Sequence, residues 1–250
     1  MIMSIDGKVA LITGASSGIG AATALKLAAA GVKVAIAARR IDRLEALKTE
    51  IVEKGGEALA LEMDVTDMSS VEHGVKKLIE TYGSIDILFN NAGIMPVSEI
   101  DQFKTGEWNA MVDINIKGVL NATAAVLPQM IEQHSGHVFN TSSIAGRKVF
   151  GPGFAVYSAT KFAVTAFSEG LRMEVGRKHN IRVTCIQPGG VTTELPEQTT
   201  DPDKRRQLDA YRSQVRFLDP SDIADAVVFA AQAPAHVNVA ELFILPIEQA

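Results

Sequence analysis

The chain has 250 residues, 47% hydrophobic and 21% charged, with a formal net charge of −5; the length suits one α/β domain with a substantial core, and the acidic balance excludes a basic field for nucleic acid. Its lone cysteine, Cys185, excludes an internal disulfide and reads as a core thiol on a strand. No unbroken apolar run reaches about 18 residues, and Met1-Ile2-Met3-Ser4-Ile5-Asp6 lacks a basic, apolar leader, so neither a membrane span nor a secretion signal is expected and a cytoplasmic protein is.

The apolar run Lys8–Thr13 predicts a first strand. It leads into Thr13-Gly14-Ala15-Ser16-Ser17-Gly18-Ile19-Gly20, and apolar residues at three- and four-residue steps predict a helix over Ile19–Ala30. Strand, glycine turn, helix is the setting of a dinucleotide site: glycines admit a pyrophosphate close to the backbone, and the helix N-terminus offers free N–H groups. The spacing is G-x-x-x-G-x-G rather than G-x-G-x-x-G, so a tight structural turn is the competing reading. Val34–Ala37 predicts the second strand, with a helix over Asp42–Lys54. A site that prefers NAD carries an acid at the end of that strand; here Ala38 stands there and Arg39-Arg40 follow, which suits the 2′-phosphate of NADP.

Ala58–Met63 predicts a strand ending at Asp64-Val65, followed by a helix over Ser69–Tyr82 with Asp67 as a fair N-cap. Ile87–Phe89 runs into Asn90-Asn91-Ala92-Gly93. Helices are predicted over Thr105–Asn121, which carries Asn115, and over Ala122–Gln133. His134 and His137 flank Gly136 in a predicted turn; all five histidines are expected to be solvated, and none has metal-ligand spacing, so no metal is expected. Val138–Thr141 ends at Ser142-Ser143, and a long helix carries Tyr157 and Lys161. Positions i and i+4 share a helix face. A nearby ammonium favours the phenolate, and lowering a tyrosine from ~10 by about three units takes roughly 4 kcal/mol. Alone, Tyr-x-x-x-Lys is a weak signal, since most such pairs are solvated neighbours. Val183–Ile186 is the next strand; Glu194–Asp219 then breaks the rhythm, with a charged helical segment in Asp201–Arg216, and Leu242–Leu245 is the last strand. The alternation argues an α/β fold with a parallel sheet and helices on both faces, ligands binding beyond the strands' carboxyl ends.

The glycine turn, Asn90-Asn91-Ala92-Gly93, Asn115 in Asn-Ile-Lys-Gly, Ser142-Ser143, the Tyr157–Lys161 pair and Pro188-Gly189 with Thr193 occur in an order that resembles the short-chain dehydrogenase/reductase family from Lys8 to Pro246. The resemblance implies a single Rossmann-like doubly wound domain over 1–250, with about seven strands in its parallel sheet. It implies reversible hydride transfer between NADP(H) and a carbonyl or alcohol, without a metal. Tyr157 would be general acid in reduction and general base in oxidation, Lys161 would lower its pKa and bind the nicotinamide ribose, and Asn115 would hold a water leading from Lys161 to solvent. A serine would orient the reacting oxygen. Ser142 and Ser143 point to opposite sides of a strand end; Ser143-Ile144-Ala145-Gly146 fits the family's local pattern, so Ser143 is expected. It stands 14 residues before Tyr157, one more than the family's usual spacing, which places an insertion in Phe150–Phe154.

The cofactor is expected against Gly14, Ser16, Ser17, Gly18, Ile19, Gly20, Arg39, Arg40, Pro188, Gly189, Val191 and Thr193, the last on the nicotinamide carboxamide. Asp64 and Val65 would read the adenine; of Asn90, Asn91, Ala92 and Gly93, Asn90 is the expected contact. Residues 194–219 would form a substrate lid over a mainly apolar pocket of Met95, Pro96, Ile144, Phe150 and Leu195. Lys204, Arg205, Arg206, Arg212 and Arg216 either read a substrate carboxylate or pair with Asp201, Asp203 and Asp209. The segment Val237–Leu242 resembles a subgroup containing 3-hydroxy acid dehydrogenases and clavulanate-type aldehyde reductases, so a 3-hydroxy acid, ketone or aldehyde is the expected small-molecule partner. A homotetramer or homodimer is implied. The alternatives are a non-catalytic NADP-binding regulator, which would be expected to lose Tyr157 or Lys161, and an enoyl reductase, whose tyrosine and lysine are spaced further apart.

Overall fold

The computed structural model describes residues 3–249; Met1, Ile2 and Ala250, including the first residues of the leader reading, lie outside the described residues. Seven strands form one sheet: β1 (Val9–Thr13), β2 (Lys33–Ala38), β3 (Ala58–Glu62), β4 (Ile87–Asn90), β5 (Gly136–Thr141), β6 (Ile181–Pro188) and β7 (Glu241–Ile244). Their order is β3-β2-β1-β4-β5-β6-β7, and every pair is parallel. The chain winds outward from β1 in one direction and from β4 in the other, so the crevice between their carboxyl ends is the switch point where ligands bind in such sheets.

Alternation along the strands feeds two cores. Ala10, Ile12, Val34, Ile36 and Phe89 face α1 (Gly18–Ala29), α2 (Ile41–Glu53) and α8 (Pro220–Ala231). Val9, Leu11, Ala35, Leu88 and Val138 face α3 (Met68–Tyr82), α5 (Gly118–Gln133) and α6 (Ala155–His179). Strands buried on both faces read as continuous apolar runs, which is why these segments were legible. Each fully buried Leu or Ile contributes roughly 1.5–3 kcal/mol. Asp67 caps α3, accepting from the Ser69 N–H at 2.9 Å.

Three local expectations are corrected. The two helices expected over 105–133 are one helical run: α4 (Thr105–Val112) passes through a π-helical segment, Asp113–Lys117, into α5. A π turn widens the helix by one residue and re-aims its side chains, and here it carries Asn115. By length and composition, Thr105–Gln133 is also apolar enough to cross a membrane, although no single unbroken apolar run announced it. Ala122, Val126 and Met130 nevertheless pack it into the second core.

His137 is not solvated. β5 starts two residues earlier than expected, because Gly136 and His137 pair with Ile181 and Arg182. His137 is 1% exposed, its Nε2 lies 2.7 Å from Thr184 Oγ1, and its ring sits 3.8 Å from that of Phe139. Burial pushes its pKa well below the usual value, and the Arg182 charge adds to the effect.

The segment between β6 and α8 carries a 3₁₀ turn (Leu195–Gln198) and α7 (Pro202–Gln214), whose N-cap Asp201 accepts from the Asp203 and Lys204 N–H groups. Its two stems meet in a parallel bridge between Val191 and Leu218.

Candidate active site

Gly14 leaves β1 at φ 65°, and a Cβ there would lie 2.7 Å from Ala92 Cα; Gly18 opens α1 at φ 55° beside Thr193. Only glycine fits both the conformation and the approach. Asn91 holds this turn, its Nδ2 donating to the Thr13 and Gly14 carbonyls at 3.2 Å. The result is a cleft of about 510 Å³ across the switch point. Of the expected residues, Gly14, Ser16, Ser17, Gly18, Ile19, Arg39, Arg40, Asp64, Val65, Asn91, Ala92, Gly93, Ser143, Tyr157, Lys161, Pro188, Gly189, Val191, Thr193 and Leu195 line it.

The others stand elsewhere. Asn90, the expected contact, turns its amide into a buried network with Asn140 Oδ1 (2.9 Å) and Thr123 Oγ1 (3.1 Å). The two asparagines end a strand, so their side chains diverge and Asn91 is the one at the cleft. Gly20 is a packing glycine: a Cβ there would come 2.5 Å from the Gly14 carbonyl oxygen. Ile144 is buried, Phe150 is 43% exposed and packs edge-on against Phe154, and Met95 packs beside Val97 and Met111; none of them lines the cleft. Phe150 leads into a turn with Gly151 and Gly153 at positive φ.

At the glycine-turn end, burial raises Asp64, but hydrogen bonds from the Thr66 backbone (2.9 Å) and hydroxyl (2.7 Å), with the charge of Arg39, outweigh it and hold the carboxyl below the usual carboxylate range. Arg40 donates to Ser16 Oγ at 2.9 and 3.2 Å, to Ser17 Oγ at 3.2 Å and to Glu194 at 3.2 Å, while Arg43 donates to Glu194 at 2.7 Å. The Arg43 hydrogen bond, opposed by slight burial and joined by that of Arg40, keeps Glu194 below its ordinary pKa. Sequence reasoning missed Glu194 and Arg43; no local signal links them, because Glu194 stands 154 and 151 positions from Arg40 and Arg43.

At the other end, α6 presents Tyr157 and, one turn on, Lys161, both buried. Ser143 caps the 3₁₀ turn Ile144–Gly146, accepting from the Ala145 N–H at 3.0 Å, and lies near Tyr157. Ser142 points the other way, its hydroxyl engaged by the Lys161 carbonyl and Thr165 Oγ1, both at 2.8 Å. Lys161 Nζ donates to the Thr141 carbonyl at 2.9 Å and stands 5.8 Å from the Tyr157 ring centre. A Cβ on Gly93 would sit 3.6 Å from that nitrogen and 3.3 Å from Asn115 Oδ1, so the glycine leaves room for both. Asn115 is buried behind the cleft wall, clasping the Ile94 backbone through both amide atoms at 2.8 and 2.9 Å.

The expected lowering of the tyrosine is absent in this state. Burial pushes Tyr157 up to about 12, offset only in part by Ser143, and burial lowers Lys161 to about 8. Desolvation penalises both charged forms, and the ammonium is directed at a carbonyl rather than at the phenol oxygen.

In the segment 194–219 the acids pair with the cations: Arg206 with Asp203, Arg205 with Asp209 at 3.5 Å, and Lys204 with Glu99 at 2.9 Å. Arg212 and Arg216 have no ion pair among the described residues.

The cleft, its glycine turn and the Ser–Tyr–Lys end define a dinucleotide-type site on a doubly wound sheet. A family model described as short chain dehydrogenase matches residues 8–204. An uncharacterized oxidoreductase of Listeria monocytogenes is 47% identical over 248 residues, 99% of each chain. Two solved structures are similar: the closed form of a serine dehydrogenase complexed with NADP+ (TM-score 0.89, 35% identity, 97% of this chain and 96% of that one) and a levodione reductase (TM-score 0.86, 34% identity, 97% and 96%). The chain belongs to the short-chain dehydrogenase family of oxidoreductases.

Proposed function

We propose that this protein is an NADP(H)-dependent dehydrogenase/reductase that interconverts a carbonyl compound and its alcohol. The observation that carries the reading is that Ser143, Tyr157 and Lys161 converge at one end of a cleft whose other end holds the glycine turn and Arg39. The residues present fit the cofactor: the Gly14 and Gly18 cradle would be filled by any Cβ, Arg39 suits a 2′-phosphate, and the similar serine dehydrogenase was solved with NADP+. When bound, its nicotinamide supplies or accepts the hydride.

In reduction, the Tyr157 hydroxyl delivers a proton to the carbonyl oxygen, and the Ser143 hydroxyl donates to that oxygen and orients it. A phenol raised by burial keeps its proton at neutral pH, so the bare site holds the proton that reduction consumes. Oxidation requires the phenolate, which the Lys161 ammonium stabilises once its charge is brought to bear. Asn115, by tying Ile94 to the π segment, fixes the wall beside Gly93 and Lys161.

Serine is itself a 3-hydroxy acid, so the similar serine dehydrogenase favours that substrate class. A homotetramer or homodimer belongs to the same reading; Phe162 and Met173 on α6 and Phe243 on the edge strand β7 leave apolar surface for a second copy. The test is Tyr157→Phe, which keeps the ring and removes the transferable proton. NADPH binding is expected to persist while turnover on a panel of 3-oxo acids, ketones and aldehydes falls by ~10²–10⁴-fold. More than about a tenth of wild-type activity in the variant refutes Tyr157 as the acid.

A further inference from the structure

Glu194 and its two arginines come from opposite flanks of the cleft. Arg40 and Arg43 follow β2, and Glu194 follows β6. Those strands stand four places apart in the sheet, about 19 Å at the usual strand spacing, yet the side chains meet at 3.2 and 2.7 Å. The contact therefore crosses the mouth of the crevice. It crosses beside the glycine turn: Thr193 Cγ2 lies 3.1 Å from where a Cβ on Gly18 would be, and Arg40 also bonds Ser16 and Ser17.

We propose that Glu194, gripped by Arg40 and Arg43, is a positioning residue that straps the cleft over the bound dinucleotide, so that the adjacent arginines divide the work: Arg39 reads the 2′-phosphate, and Arg40 retains either dinucleotide. The proposal rests on the dinucleotide reading above and refines it. Arg40 has its Nε, Nη1 and Nη2 all engaged, which leaves it no free fork for a phosphate. Arg39 has no ion pair among the described residues and lines the cleft beside Asp64. A lone carboxylate over a pyrophosphate would repel it. Two guanidiniums on one carboxylate leave the trio with a net positive charge, so the strap attracts the phosphates it covers.

The participating side chains are 42–45% exposed, and exposed pairs are individually weak, so a moderate effect is expected. The experiment is stopped-flow dissociation of NADPH and of NADH from the whole protein. Glu194→Gln should speed release of both by about three- to tenfold, and Arg43→Gln should do the same to a smaller degree. The difference from wild type should shrink as ionic strength rises. Arg39→Ala should speed release of NADPH alone. Unchanged release of both from Glu194→Gln overturns the strap, and so does slower release of NADPH alone, which would mean that Glu194 competes with the 2′-phosphate. Failure of the wild type to bind either dinucleotide removes the cofactor reading, and the strap with it.

Discussion

The neighbouring serines offer the sharpest test, because the structure assigns them different tasks. Ser143 faces Tyr157, and Ser142 faces into α6. Removing a preorganised donor to a developing oxyanion typically costs ~10²–10³-fold in rate, about 2.7–4 kcal/mol. Ser143→Ala is expected to lose that much kcat/KM with a small change in melting temperature, since within its own turn the hydroxyl accepts one bond, from the Ala145 N–H. Ser142→Ala removes bonds to the Lys161 carbonyl and to Thr165 Oγ1. Those two atoms retain each other at 3.0 Å, so neither is left unpaired and the cost is about 1 kcal/mol. In a chain of this length that is ~2–4 °C in melting temperature, with kcat/KM within about threefold of wild type. NADPH consumption and thermal unfolding, measured on both variants, separate the two roles. If Ser142→Ala loses more kcat/KM than Ser143→Ala, the assignment of Ser143 to the reacting oxygen is wrong.

The proposed reading of the 2′-phosphate by Arg39 predicts the cofactor choice. Ala38→Asp with Arg39→Ala should invert the preference for NADPH, one charge-assisted contact being worth about 1.5–3 kcal/mol, or roughly ten- to 150-fold; equal kcat/KM for NADPH and NADH in the wild type would contradict it. His137 makes the fold acid-sensitive. Its folded pKa is lowered, so the unfolded chain binds a proton that the folded chain does not, and stability falls as pH drops below about 6.5, by up to ~1.4 kcal/mol per unit. His137→Phe should flatten the pH dependence of melting between about pH 7 and 5; parallel curves for variant and wild type would remove His137 as the cause. The ion pairs of Lys204, Arg205 and Arg206 predict little reading of substrate charge by these three residues. Comparing 3-oxo acids with their methyl esters, with Arg212→Ala and Arg216→Ala alongside, checks the two that remain: a raised KM for the acids alone would assign them to a carboxylate.

Local sequence was enough for everything that depends on a residue and its near neighbours. The buried runs of β1 and β2, the glycine turn into α1, the Asp67 cap and the one-turn spacing of Tyr157 and Lys161 repeat with periods of two to four residues, and such periods are visible without a fold. What remained hidden depends on residues distant in the chain. Asn91 rather than Asn90 lines the cleft because Asn140 and Thr123, 50 and 33 positions away, take the Asn90 amide. His137 is buried because β6 and Thr184 cover it. Glu194 meets Arg40 across 154 positions of chain. The Tyr157–Lys161 spacing shows a charge nearby, but the burial that raises the phenol comes from the whole packed site, and the Lys161 ammonium is turned to the Thr141 carbonyl. Sequence determined the strands, the turn and the pair; tertiary structure alone decided which side chains face the cleft and how much water each retains.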